Sequence, residues 1–161
     1  PKTTTPTRSH TKPKTIAPRI VDIPSPAAMQ QQMKRLRQKS SSQLVRMLPQ
    51  ENLFEAGPIR AVLRERGLTD QEIILSKRYN SAQVEDRLKL IDDLSILPAV
   101  TARRWLHWLL EDDNPDVRLR ALSAIATTSD PRLYEVARNI AVHDQDPRVA
   151  KLASQIMEQA R

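Results

Sequence analysis

Large apolar residues recur every three or four positions over most of the chain from residue 26 onward, and only sparsely before it. That spacing marks one face of a helix. Met29, Met33 and Leu36 follow Ser25-Pro26, a capping residue and a proline suited to the first helical position. The weak helix formers Ser40, Ser41 and Ser42 interrupt this run, and Ser41 or Ser42 is expected to cap a second piece carrying Leu44, Val45 and Leu48. Gly57-Pro58 opens another helix with Ile59, Val62 and Leu63 on one face, and Gly67 is placed to close it in a left-handed cap. Thr69 and Glu72 bracket a capping box that starts a helix bearing Ile73, Ile74 and Tyr79.

Farther on the pattern repeats. The stretches beginning at Val84, Val117 and Val149 align at offsets of 33 and 32 residues, which brings Leu88, Ala121 and Ala153 into coincidence. Second helices from Pro98 and Pro131, also 33 apart, lie between them. Asn114-Pro115, Asp130-Pro131 and Asp146-Pro147 each put a capping side chain before a proline, a pair that ends one element and starts the next. A fixed helix-turn-helix period predicts stacked hairpins that bury their apolar faces against one another.

The segment Asp113 to Ala121, "DNPDVRLRA", resembles the HEAT-repeat motif, and "DPRVAKLA" from Asp146 is a shorter version of it. The resemblance covers about residues 84–161, with 58–79 as a degenerate repeat. It implies an all-α fold, a short α-solenoid of HEAT-like helical hairpins behind a disordered or extended N-terminal tail. It also implies a stack of Asp/Arg pairs, incomplete here because Glu85 and Ala150 align with Arg118. The expected organisation is a basic Pro/Thr-rich tail over 1–25, an amphipathic helical segment over 26–48 and the repeat domain over 51–161. The last helix, from Pro147, either caps the stack with Arg148, Lys151 and Glu158 outward or precedes a further repeat.

Charge divides the chain in the same way. The 161 residues carry a net +7, but residues 1–46 hold ten Lys and Arg against Asp22 alone, +9, whereas sixteen face eighteen acids from Met47 onward, −2. Low hydrophobicity with one sign of charge does not repay ordering of residues 1–25; their one apolar stretch, Ile16, Ile20, Val21 and Ile23, docks either on the domain or on a partner. Lys34, Arg35, Arg37 and Lys39 make a basic helix face of the kind found at membrane surfaces and in calmodulin targets, or a plain solvated face. Without Cys, disulfides and thiolate chemistry are excluded, which suits cytoplasm or periplasm alike. No apolar run is long enough to span a bilayer. A start at Pro1 without Met reads as a processed product or a piece of something longer, such as a secreted or membrane-tethered protein.

Catalytic equipment is sparse. His10, His107 and His143 form no metal-ligating pair, and two isolated Gly make no phosphate loop. Glu111, Asp112, Asp113 and Asp116 lack the spacing of a calcium loop and read as helix punctuation; His143 with Asp144 and Asp146 reads as a helix end followed by a cap. Acidic residues ending a helix oppose its dipole, so Arg118 or Arg120 is expected to offset them. The most individual patch is Trp105 and Trp108 with Arg103 and Arg104, either packed between repeats or standing at a groove edge as a protein-binding face. The function expected is a non-catalytic protein-interaction or scaffold module without cofactor or metal. The alternative is nucleic-acid binding through Lys2, Arg8, Lys12, Lys14, Arg19, Lys34, Arg35 and Arg37.

Overall fold

Local caps set several of the helix starts in the computed structural model, which describes residues 25–49, 56–128 and 131–159. Ser25 opens α1 (Pro26–Arg37), its hydroxyl accepting the Ala28 amide at 3.3 Å. Ser40, rather than Ser41 or Ser42, caps α2 (Ser41–Arg46): Ser40 accepts the Gln43 amide and the Gln43 side chain accepts the Ser40 amide at 2.9 Å. Only Ser40 has a Gln three residues on, which makes the bond reciprocal. After α3 (Gly57–Glu65), Gly67 takes φ +81°, and the amides of Gly67 and Leu68 turn back to the carbonyls of Arg64 and Leu63. A Cβ would be strained there, so glycine ends this helix. The expected box of Thr69 and Glu72 starts α4 (Asp70–Tyr79).

Five helices follow: α5 (Val84–Leu94), α6 (Ala99–Leu109), α7 (Pro115–Ala126), α8 (Pro131–His143) and α9 (Pro147–Gln159). The described residues are all-helical, without strands. α1 lies on α3, α2 on α3 and α4, and α4 on α5. Then α7 touches both α5 and α9, α6 touches α5 and α8, and α8 and α9 pair most extensively. One continuous apolar core runs from Leu36 to Ile156. Of the neighbouring isoleucines on α4, Ile73 is buried and Ile74 is exposed.

The register of the repeat differs from that of the apolar alignment. Helices α5, α7 and α9 begin at Val84, Pro115 and Pro147, 31 and 32 residues apart. The buried equivalents are Leu90, Ala121 and Ala153, while Leu88 is only half-buried. A hydrogen-bonded turn before each helix sets this register: Ser81 Oγ accepts the Gln83 amide, and the Asp112 and Asp144 carboxylates accept those of Asn114 and Asp146. Apolar spacing is a poor guide here, because an amphipathic pattern nearly matches itself after a shift of a few residues.

Asp130 and the tail cations Lys2, Arg8, Lys12, Lys14 and Arg19 lie outside the described residues, as do Ile16, Ile20, Val21 and Ile23. Among the described residues no helix is long and apolar enough to cross a membrane.

Candidate functional site at the tryptophan helix

Helix α6 presents apolar residues around most of its C-terminal half, and Trp105, Leu106, Trp108, Leu109 and Leu110 are all buried. Trp105 is 0 % exposed and Trp108 9 %. Two indoles three residues apart do face one core, because Tyr79 from α4 completes a cluster with them. Trp105 meets Trp108 edge to face at 5.0 Å between centroids and meets Tyr79 at 5.6 Å, an arrangement that places ring edges against electron-rich faces. The indoles therefore belong to the interior, and neither is available as an anchor while the domain is folded.

The arginines beside them are turned to internal work. Arg104 donates to the buried Glu72 at 2.8 Å, and the other Glu72 oxygen accepts the Thr69 amide, so one carboxylate both starts α4 and holds α6 to it. Arg103 is half-buried. The expected patch thus resolves into two core rings and an interhelical ion pair, leaving His107 as the exposed residue of that stretch.

The acidic joint after α6 is occupied. Arg118 Nη1 donates to the carbonyls of Asp112 and Asp113 at 2.8 and 3.1 Å, offsetting the dipole of α6 at its negative end. Its remaining nitrogens grip the Asp144 carboxylate at 2.8 Å. Arg87 repeats the device one step earlier, donating to the Ser81 carbonyl and lying 3.0 Å from Asp112 Oδ2. Each arginine thus donates to the carbonyl six residues back and forms an ion pair with a carboxylate at the next joint. Arg87 went unrecognised because the apolar alignment set Glu85 opposite Arg118; at the 31-residue offset Arg87 stands there. Ala150 ends the series.

Asn114 caps α7 by accepting the amides of Asp116 and Val117, and Asp146 accepts the Arg148 amide at 2.8 Å. Arg148 also bridges Asp146 and Asp116. His143 Nδ1 lies 2.9 Å from the Asn139 carbonyl, a bond within the last turn of α8. The described residues bring no three His, Asp or Glu side chains together as a metal-holding group.

These pairs make stability acid-sensitive. Hydrogen bonds from Arg118 hold the Asp144 carboxyl below its ordinary range, and those from Arg148 bring Asp146 down to about 2. With unfolded carboxyls near ~3.9, the unfolded chain binds the extra protons as pH falls, so this stabilisation is complete above about pH 5 and is lost on descending through about 2. The melting temperature should be level from neutrality to about pH 5 and then fall. Asp146→Asn should lower it at neutral pH and make no difference once pH is below the folded value; an equal loss at both would show that the charge is not what matters.

Two recesses lie near the joints, one beside the turn after α6 and one along α6 itself. The first, about 220 Å³, lies among Arg46, Tyr79, Asn80, Arg87, Asp112 and Asp113. Its polar groups are mostly engaged: Arg46 Nε donates to the Tyr79 hydroxyl at 3.2 Å and Asn80 donates to the Val45 carbonyl at 2.8 Å. Burial pushes the Tyr79 hydroxyl up, with Arg46 pulling it the other way. The second, about 320 Å³, runs between α6 and α8 and is lined by His107, Leu110, Glu111, Glu135, Val136, Asn139 and Ile140. Val142, 72 % exposed, follows Asn139 by three residues on α8. No protein-family model matches the chain, and no curated protein and no solved structure matches it either.

Proposed function

We propose that this chain is a short HEAT-like α-solenoid that acts as a non-catalytic protein-interaction or scaffold module. The observation that carries the reading is the repeated joint: a hydrogen-bonded turn, a helix start, and at two of the three joints an arginine linking it to the next, at 31 and 32 residue spacing. Such units bury their faces only by stacking, and stacks of this kind present extended surfaces to partners. Among the described residues, many polar side chains at the joints are committed to caps and ion pairs, which favours binding over catalysis.

The binding face, in this reading, is the α6–α8 groove rather than the indoles. It combines half-buried Val136 and buried Leu110 with polar rims, and the exposed Val142 extends it. Apolar floors with polar rims suit transient partners. Affinity capture with the intact chain, compared with His107→Glu/Val142→Glu, tests this. The substitutions replace exposed residues, so the melting curve should fall only by the small cost of a carboxylate in the last turn of each helix, about 0.3–1 kcal/mol apiece, while capture weakens by about tenfold or more, on the order of 1.4 kcal/mol. A partner held equally by both proteins would place the interface elsewhere.

A further inference from the structure

We infer that the chain pairs with a second copy of itself across the α5–α7 side of the stack, each copy setting Ile96 into a recess of the other. Ile96, Leu97, Pro98, Ala99 and Val100 lead from the end of α5 into the first turn of α6, five apolar residues in a row of which none is buried. Ile96 is 83 % exposed and Val100 61 %. Single apolar side chains in solvent are ordinary, but an uninterrupted run of this length marks a surface that another molecule covers. The corresponding turn of the next hairpin is polar: with Pro98 set on Pro131, the residues Ser129, Asp130 and Arg132 stand where Ile96, Leu97 and Ala99 do. The apolar run therefore belongs to this turn and is no requirement of the repeat.

A receptor for the run adjoins it. A third recess, about 290 Å³, lies between α5 and α7, with Ile91, Asp92, Ser95, Arg120, Ala124 and Thr127 in its lining. The hydroxyls there are turned to their own helices: Ser95 donates to the Asp92 carbonyl at 2.8 Å, Ser123 to that of Leu119 at 3.0 Å and Thr127 to that of Ala124 at 2.7 Å. They offer carbon rather than free donors to a visitor. Arg120 and Asp92, both about half exposed, bond each other at 3.0 Å, so the rim carries no net charge. Because Ser95 lines the recess and Ile96 follows it, projection and hollow lie side by side on one surface. Two copies related by a two-fold axis can exchange them, and such a self-complementary contact closes at two. A foreign protein would require neither the neutral rim nor the adjacent hollow.

Other faces suit a second copy less well. The α6–α8 groove is lined by Glu111 and Glu135 without Lys or Arg, so two copies would bring like charges together. At the N-terminal end of the stack Arg37 is tied to Glu65 by hydrogen bonds of 3.1 and 2.9 Å, stapling α1 to α3, and Lys34 and Arg35 are exposed. Arg37, expected among the nucleic-acid contacts, is thus a structural staple. On α9 the exposed residues include Arg148, Lys151 and Glu158. Polar outer faces of this kind cap a stack instead of extending it.

The test is sedimentation velocity of the full chain from about 1 μM to about 1 mM, with a reversible monomer–dimer equilibrium as the expected result. Ile96→Lys/Val100→Glu should weaken the dimer at least about tenfold, because two apolar side chains in each copy lose their burial. Each new charge has the sign that suits its helix end, a cation past the end of α5 and a carboxylate in the first turn of α6, so the melting curve should be held. The chain has no Cys, so chains carrying Ile96→Cys alone and Thr127→Cys alone can be mixed and oxidised, and a disulfide joining one of each should be the main product. Four results would overturn the inference: monomer throughout the range, association that the Ile96→Lys/Val100→Glu chain retains, growth beyond the dimer, or disulfides between like chains only. His107→Glu/Val142→Glu leaves this surface untouched and should dimerise as the parent does, so failure here and failure of the scaffold reading are separable.

Discussion

Replacing Trp105 with Ala should cost about 3–5 kcal/mol of folding stability, the range for deleting a fully buried aromatic side chain. The indole is 0 % exposed and contacts both Trp108 and Tyr79. Truncation removes the shared member of a three-ring cluster and leaves a void where α4 and α6 meet. Typical domains hold only about 5–15 kcal/mol in reserve, so the variant should be close to unfolding at ordinary temperature. Urea titration read by circular dichroism measures this directly. Trp105→Phe keeps a ring and also removes the indole Nε1, which is buried without a hydrogen-bond partner among the described residues, so it should lose much less. A loss below about 1 kcal/mol for the Ala variant would show that the cluster is open to solvent, and would return the indoles to consideration as binding residues.

The second large effect is expected at Arg118. Arg118→Met keeps the apolar stem but strands Asp144, whose side chain is 6 % exposed, without its cation. Breaking such a pair from one side costs about 3 kcal/mol or more, because the remaining charge stays desolvated. The carbonyls of Asp112 and Asp113 lose their donor as well. Adding Asp144→Asn should recover part of the loss: the amide still accepts the Asp146 N–H that shapes the turn, and no net charge is left buried. Arg118→Met within about 0.5 kcal/mol of the parent would mean that the joint contributes no more than a surface pair.

These two expectations differ in how much of them the sequence carried. The sequence alone narrowed the cation at the joint after α6 to Arg118 or Arg120, because carboxylates at a helix end oppose its dipole and both arginines lie early in the next helix; the structure gives the role to Arg118, while Arg120 pairs with Asp92. Arg87 was not foreseen, since nothing local distinguishes it from other helical arginines. Its role appears only when Ser81 and Asp112 are seen on either side of it. The tryptophans show the reverse. Their chemistry suits an interface as well as a core, and sequence spacing places them on one side of α6 without saying what that side meets.

Several helix starts, and the stop at Gly67, were determined by the sequence itself. Ser25, Thr69, Asn114 and Asp146 cap where their neighbours require it, and Gly67 turns left-handed, because a cap bonds an amide two or three residues away and needs no distant partner. The all-helical class follows from the same local signals. Tertiary structure alone decided the burial of Trp105 and Trp108 and the conversion of Arg37 and Arg104 into interhelical ties. Each depends on groups distant in sequence, such as the 28 residues from Arg37 to Glu65 and the 32 from Glu72 to Arg104. A long polar side chain carries no local mark of which partner it will reach, and only packing brings that partner within a hydrogen bond.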